Sequence, residues 1–326
     1  MKNKNFQKLL FGAICILSFS SCKKDTENIF TMFDDVTVTY NNSDPRCVTD
    51  YKLVNDGEEV WIDYTINSAS EDMYSIIVEK SAGAAQNGTY ERTTVVISDN
   101  NRRRSYSDII KFTMSRDGKT SYRICALNKK GTFIGDGYKK VTIEQNPSYT
   151  IIANKNIYLP DTVAKVLPSF FSLRDGTTYS YTNGAANASN IDFGIWRRPN
   201  TNSDAITNPY IYNLYSISTP TSPFANIYDI SAWIPKRATL FSTPVTSQSN
   251  IFVYTAVSSS TIGTLARART INLTATASTT FAAGLAAGNA IFFLTPEGKY
   301  GMMLINAVTT DYDRKPYINV SVKVQN

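Results

Sequence analysis

The side chains able to carry chemistry are few, and one type is missing altogether. The 326-residue chain contains no histidine. That removes Ser-His-Asp and Cys-His arrangements and every histidine-based metal centre. Beyond residue 21 there is neither a Ser-x-x-Lys pair nor a glycine-rich phosphate loop. A glycosidase needs only two carboxylates. Residues 148–326, however, hold a single glutamate, Glu297, in a tight turn, with Asp229, Asp311 and Asp313 as the acids to set beside it. These read as solvated loop acids, and none follows EF-hand spacing. No enzymatic activity, cofactor or metal site is expected.

Aromatic residues give the positive signal. Trp61 and Trp196 fall out of phase with the apolar residues of their own segments. Trp233 lies in an irregular stretch beside Lys236 and Arg237, and Tyr210, Tyr212 and Tyr215 form a cluster. Exposed aromatic faces stack on sugar rings, so Trp196, Trp233 and Tyr212 are the candidate carbohydrate-binding residues. The competing reading for each is packing. In particular, Phe193 and Ile195 should be buried and leave the Trp196 indole on the opposite face, beside Arg197 and Arg198.

The first cysteines belong to a different chemistry. Lys2, Lys4 and Lys8 precede an apolar stretch, Leu9 to Phe19, which is too short to span a bilayer at about 20 residues per crossing. A basic leader, a short apolar run and the small residues Ser20 and Ser21 are the pattern of a secretory signal peptide. The boundary at Cys22 resembles a bacterial lipobox, with Phe19 where leucine is usual. The resemblance implies that Cys22 is acylated and becomes the first mature residue, tethering the protein to a membrane. The continuation Cys22-Lys23-Lys24-Asp25 resembles surface lipoproteins of Bacteroidota, in which a short charged stretch directs export. Outer-membrane, lipid-anchored, surface-exposed placement is the expectation. Cys47 and Cys125 then remain; an exported location permits a disulfide between them, and two separate thiols are the alternative.

Charge argues against nucleic acid. Residues 30–147 carry 15 basic and 17 acidic side chains, and residues 148–326 carry 13 and 8, all scattered except for Arg102-Arg103-Arg104. That run sits in a polar stretch that reads as a solvated loop.

These residues are positioned by strands. Val60, Ile62, Tyr64 and Ile66 alternate with Asp63, Thr65 and Asn67, and the same period recurs at Tyr74 to Val78, Ile110 to Met114, Tyr122 to Ala126 and Val141 to Ile143. Asn-Asp-Gly, Asn-Gly and Asp-Gly turns separate them. About seven short strands over some 110 residues is an immunoglobulin-like pattern. Ser121 to Gly131 (SYRICALNKKG) resembles the penultimate strand of fibronectin type III domains. After Asn146-Pro147 further strands follow, most clearly Ile291 to Ile305 around a Pro-Glu-Gly-Lys turn and Ile318 to Val324, with a helical turn at Ala185 to Ser189. The organisation expected is a signal peptide (1–21), a lipidated tether (22–33), an immunoglobulin-like domain (34–147) and a larger, jelly-roll-like β-sandwich (148–326). The fold class is all-β.

The stretches Asn183 to Trp196, Tyr228 to Phe241 and Ala286 to Ile305 resemble uncharacterised Bacteroidota lipoproteins associated with outer-membrane glycan-uptake systems of the starch-utilisation type. The resemblance implies a non-enzymatic surface role near glycan capture, with glycans or uptake proteins as partners and the membrane reached through the acyl anchor. A structural or adhesive module that binds another protein is the alternative. Asp161-Thr162-Val163 resembles the O-glycosylation motif of exported Bacteroidota proteins and marks Thr162 as an acceptor in an exposed linker.

Overall fold

A computed structural model describes residues 36–82, 90–135, 139–201, 210–220, 223, 225–276 and 284–326. The expected signal peptide and Cys22 lie outside the described residues. Among those described, no helix is long and apolar enough to cross a membrane.

The alternating segments of the first half fold as expected. One sheet takes β1 (Val36–Asn41), β3 (Glu59–Ser68) and β6 (Ser105–Thr113) in the order β1-β3-β6. The other takes β2 (Tyr51–Val54), β4 (Ser75–Ala82), β5 (Glu91–Val96), β7 (Gly118–Leu127) and β9 (Lys140–Gln145) in the order β2-β9-β7-β4-β5, with the short β8 (Phe133–Ile134) against β7. Side chains alternate across a strand, so Val60, Ile62, Tyr64 and Ile66 all reach the core, as do Ile124, Ala126, Val141 and Ile143. This is an immunoglobulin-like sandwich. Asp63, on the other face of β3, is buried too, and its carboxylate accepts hydrogen bonds from Asn41 Nδ2 (2.9 Å) and Ser43 Oγ. Cys47 and Cys125 are both buried.

Compact units do not divide at a single residue near 147. The first holds the chain through Asp50, Trp61–Ile110 and Ser121–Thr142; the second holds Tyr51–Val60, Lys111–Thr120 and Ile143–Asn326. The second unit therefore includes two hairpin tips. Asp56 accepts from Ser260 N (2.6 Å) and Oγ (2.8 Å), and Asp117 accepts from Ser148 N and Oγ (both 2.6 Å). Ser148 Oγ in turn accepts from Ser259 N (2.7 Å). These groups satisfy the free N–H groups at the start of the helix Ser259–Arg267, where acidic side chains also suit the helix dipole.

The second unit is a sandwich of six strands on four. The larger sheet runs β10-β19-β18-β17-β15-β16 and the smaller β12-β11-β13-β14. The members, in chain order, are β10 (Tyr149–Tyr158), β11 (Pro168–Phe171), β12 (Thr178–Ser180), β13 (Phe193–Pro199), β14 (Tyr210–Ser216), β15 (Leu240–Ser242), β16 (Ile271–Leu273), β17 (Ala290–Leu294), β18 (Tyr300–Thr310) and β19 (Pro316–Gln325). Between the sheets lie Phe171, Phe193, Ile195, Leu214, Phe293 and Ile305 among others. The helical turn expected at Ala185 to Ser189 is present as 3-10 helix Ala185–Asn190, directly after a short helix Tyr181–Gly184.

Both sheets are also covered on their far sides. Phe252, Ile262 and Ala266 pack on Phe292, Met302 and Leu304 behind the larger sheet. Tyr228, Ile230 and Trp233 pack on Phe170 and Tyr215 behind the smaller one. Ser321 and Lys323, which alternate with the inter-sheet residues of β19, are buried as well. Lys323, 4 % exposed, donates to Phe252 O (2.6 Å) and Ala256 O (2.7 Å), and burial depresses its pKa to about 8. β10 and β19 are neighbours from end to end, with Asn326 N bonded to Ser148 O (3.1 Å) at one end and Leu159 N to Pro316 O (3.0 Å) at the other.

Candidate functional site

At the end of β10 the chain leaves the sheet through Leu159 and Pro160 and turns back by Leu167 into β11. Asp161 organises this loop. Its carboxylate accepts from Leu167 N (3.0 Å), Val166 N (3.3 Å) and the Tyr228 hydroxyl (2.8 Å). Burial pushes the Asp161 pKa up, but these hydrogen bonds outweigh it and hold the carboxyl below its ordinary value. Lys165, at φ 57, completes the turn and places its ammonium over the rings of Tyr181 (5.0 Å) and Tyr228 (5.9 Å).

A cleft of about 470 Å³ opens between this loop and the ends of β13 and β14. Pairing of Pro199 with Tyr210 and of Arg198 with Ile211 brings the arginine pair beside the tyrosine. The Arg197 guanidinium lies 3.8 Å over the Tyr210 ring, which is 40 % exposed. Successive strand residues face opposite ways, so Arg197 and Arg198 reach the cleft from either side of β13. Arg198 donates from Nη1 to Pro199 O (3.1 Å), while its buried Nε has no partner among the described residues. Neither arginine forms an ion pair with a described acid.

The aromatic candidates are placed differently from expectation. Phe193 and Ile195 are buried and Trp196 does point the other way, but that face is not solvent. The indole is half-buried against the Phe170–Tyr215–Tyr228 cluster. Trp233 is 4 % exposed, with Phe170 at 4.8 Å and Tyr181 at 5.7 Å between ring centroids, so it is a packing residue and not a platform. The reason is the layer that includes Ile217, Tyr228, Ile230 and Trp233, which strand alternation in β13 gives no hint of. Tyr212 is half-buried against the inter-sheet core, and Tyr215 is fully buried. Tyr210, last of that cluster toward the open end, is the one in the cleft. Trp61, in the first unit, is half-buried under the Arg46 guanidinium at 3.7 Å. Thr162 is exposed on the cleft-side loop, at the far end of β10 from Ser148 and so not in a linker at the junction.

The acids are engaged elsewhere. Glu297, expected to be a solvated turn residue, accepts from Arg237 Nη1 (2.6 Å) and Nη2 (2.8 Å) and from Arg174 (3.2 Å). The Arg237 guanidinium holds its pKa far below the usual carboxylate range. Arg237 Nε also reaches Asp192 Oδ1 (2.8 Å), a fully buried carboxylate that takes Thr239 Oγ1 (2.6 Å) and Leu173 N (2.7 Å) as well. Asp311 accepts from Lys315 N (2.8 Å), and Asp313 lies 3.4 Å from Lys315 Nζ. In the first unit a smaller cleft, about 330 Å³, contains Glu79, which is neutralised by Arg92 and Arg123. Among the described residues no three Asp, Glu, Cys or His side chains gather as a metal site.

Sequence reasoning named Arg197 and Arg198 only as neighbours of Trp196 and did not foresee the Pro160–Leu167 wall. Its parts lie near positions 160, 198, 210, 227 and 316, and no local pattern joins them.

No family model matches the chain, and no curated protein matches it. Among solved structures it aligns with a chitin-binding domain from Burkholderia pseudomallei at 8 % identity and TM-score 0.21, covering 30 % of this chain and 57 % of that one. It aligns with the CARDB domain of a Pyrococcus furiosus protein in complex with di-metal ions at 12 % identity and TM-score 0.22, over 35 % and 91 % of the two chains. A cycloalternan-degrading enzyme from Trueperella pyogenes aligns at 8 % identity and TM-score 0.20, over 89 % and 35 %. Values this low identify no relative.

Proposed function

We propose that this is a non-enzymatic, lipid-anchored surface protein whose second sandwich captures a glycan in the cleft beside Tyr210. The observation that carries the proposal is the pairing of a partly exposed aromatic ring with hydrogen-bond donors at one end of the second sandwich. A sugar presents an apolar C–H face and a rim of hydroxyls, and this arrangement matches both. Cys22 acylation supplies the tether, and residues 34–147 act as a spacer.

The test is a glycan-array screen of the mature protein alongside Tyr210→Ala. Tyr210 is partly exposed at a strand end, so its truncation should leave the melting temperature within a degree or two while abolishing binding. Binding that survives the substitution would move the site elsewhere, and an array without signal would overturn the reading. Fatty-acid labelling lost in Cys22→Ala tests the anchor.

A protein ligand is the second reading, favoured by Val163 (91 % exposed) and Val166 (58 % exposed) on the same loop. Val163→Ser with Val166→Ser would then abolish partner binding and leave any glycan binding intact.

A further inference from the structure

Among the described residues, the charged side chains lining the cleft are two arginines and one aspartate. Arg197 and Arg198 enter it, and Lys165 stands on the loop that walls it. Asp161 is the acid among the lining residues, and its oxygens are already taken by Tyr228, Leu167 and Val166. Two other acids of this unit, Asp192 and Glu297, are held by Arg237. An arginine fork has five donors, and Arg198 uses one on the Pro199 carbonyl while Nε stays buried without a partner among the described residues. A neutral hydroxyl accepts from such a group one bond at a time. A planar or tetrahedral anion accepts from it in pairs.

We infer that the cleft selects acidic saccharides, with the carboxylate or sulfate of the ligand received by Arg198 and Arg197 and the sugar face laid on Tyr210. This rests on the glycan-capture reading and narrows it. Because the arginines approach from opposite sides of β13, the ligand is expected to bridge the strand end, with one charged sugar and at least one further residue.

The probes are oligogalacturonate and its fully methyl-esterified form, which share a backbone and differ in charge, and chondroitin 4-sulfate beside unsulfated chondroitin. Titration calorimetry of the mature protein should show binding to oligogalacturonate or chondroitin sulfate and at least about 10-fold weaker binding to the methyl ester, the size of losing one charge-assisted hydrogen bond. Affinity should also fall as salt rises from 50 to 500 mM. Arg198→Gln should remove the preference for the charged form, and Arg197→Gln does the same should the first variant fold poorly, with circular dichroism reporting folding. Selectivity among the charged probes tells a carboxylate site from a sulfate site. Equal binding of oligogalacturonate and its methyl ester would overturn the acidic specificity and leave glycan capture standing. No binding to any saccharide, on these probes or the array, would overturn both.

Discussion

Replacing Gly184 by alanine probes the aromatic layer behind the smaller sheet. A Cβ there would overlap Trp233 Cη2 outright and lie 2.6 Å from Cζ2 and 2.9 Å from Cζ3. Carbon atoms rest at about 3.5–4.0 Å, so the indole would have to retreat by about an ångström. It has little room, since Phe170 and Tyr181 flank it and only 4 % of the residue is exposed. Two terms compete. The backbone at Gly184 is helical (φ −68, ψ −38), where alanine is favoured over glycine by about 1 kcal/mol. Overpacking a filled core costs about 1–3 kcal/mol, and a rigid indole belongs at the upper end. Gly184→Ala should therefore destabilise the second unit by about 2 kcal/mol. In a Trp233→Phe background the clashing benzo edge is gone, and the same substitution should become neutral or stabilising. A coupling of about 2–3 kcal/mol is expected from the double-mutant cycle. Urea unfolding followed by far-ultraviolet circular dichroism measures all four proteins. If Gly184→Ala is harmless with the tryptophan present, or equally costly without it, the indole is not packed there. Trp233 would then return to the surface as a sugar platform.

Two further perturbations test the buried charges. Arg237→Met strands the fully buried Asp192 carboxylate and should cost about 3–5 kcal/mol in urea unfolding; Asp192→Asn in the same background should recover part of that loss, and if it does not, the carboxylate was never the liability. Lys323 titrates near 8 in the folded protein against 10.5 for an ordinary lysine, so between those values the unfolded chain holds more protons and stability climbs with pH. The wild-type protein should gain up to about 3 kcal/mol over pH 8–10.5 relative to Lys323→Met, and the two should run parallel below pH 8; parallel curves throughout would place the ammonium in water.

Regular alternation was the legible part of this fold. Val60 to Ile66 and Ile318 to Val324 each specify a strand and its core face, and every residue so assigned is buried. What alternation cannot say is whether the opposite face is wet. It puts Ser321, Lys323 and Asp63 on the opposite faces of their strands, and all three are buried. A signal for the second layer did exist, because Ala290–Leu294 and Gly301–Ile305 are unbroken apolar runs, as strands covered on both sides tend to be. The helix Ser259–Arg267 escaped notice because its capping box, Ser258 with Thr261, lacks the usual glutamate. The cleft was illegible for a different reason. Tyr210 and Arg198 meet through strand pairing, and the loop that faces them is set by hydrogen bonds to Asp161 from residues five, six and 67 positions away.

The pairing of β10 with β19 has a practical meaning for handling the molecule. Ser148 and Asn326 are hydrogen-bonded partners, whereas Leu159 and Pro316, which line the cleft, stand at the other ends of the same two strands. A ten-residue strand covers roughly 30 Å at about 3.3 Å per residue. The second sandwich thus has a handle and a mouth at opposite poles. A biotin or affinity peptide fused after Asn326 would grip it by the handle and present the mouth to a ligand in solution.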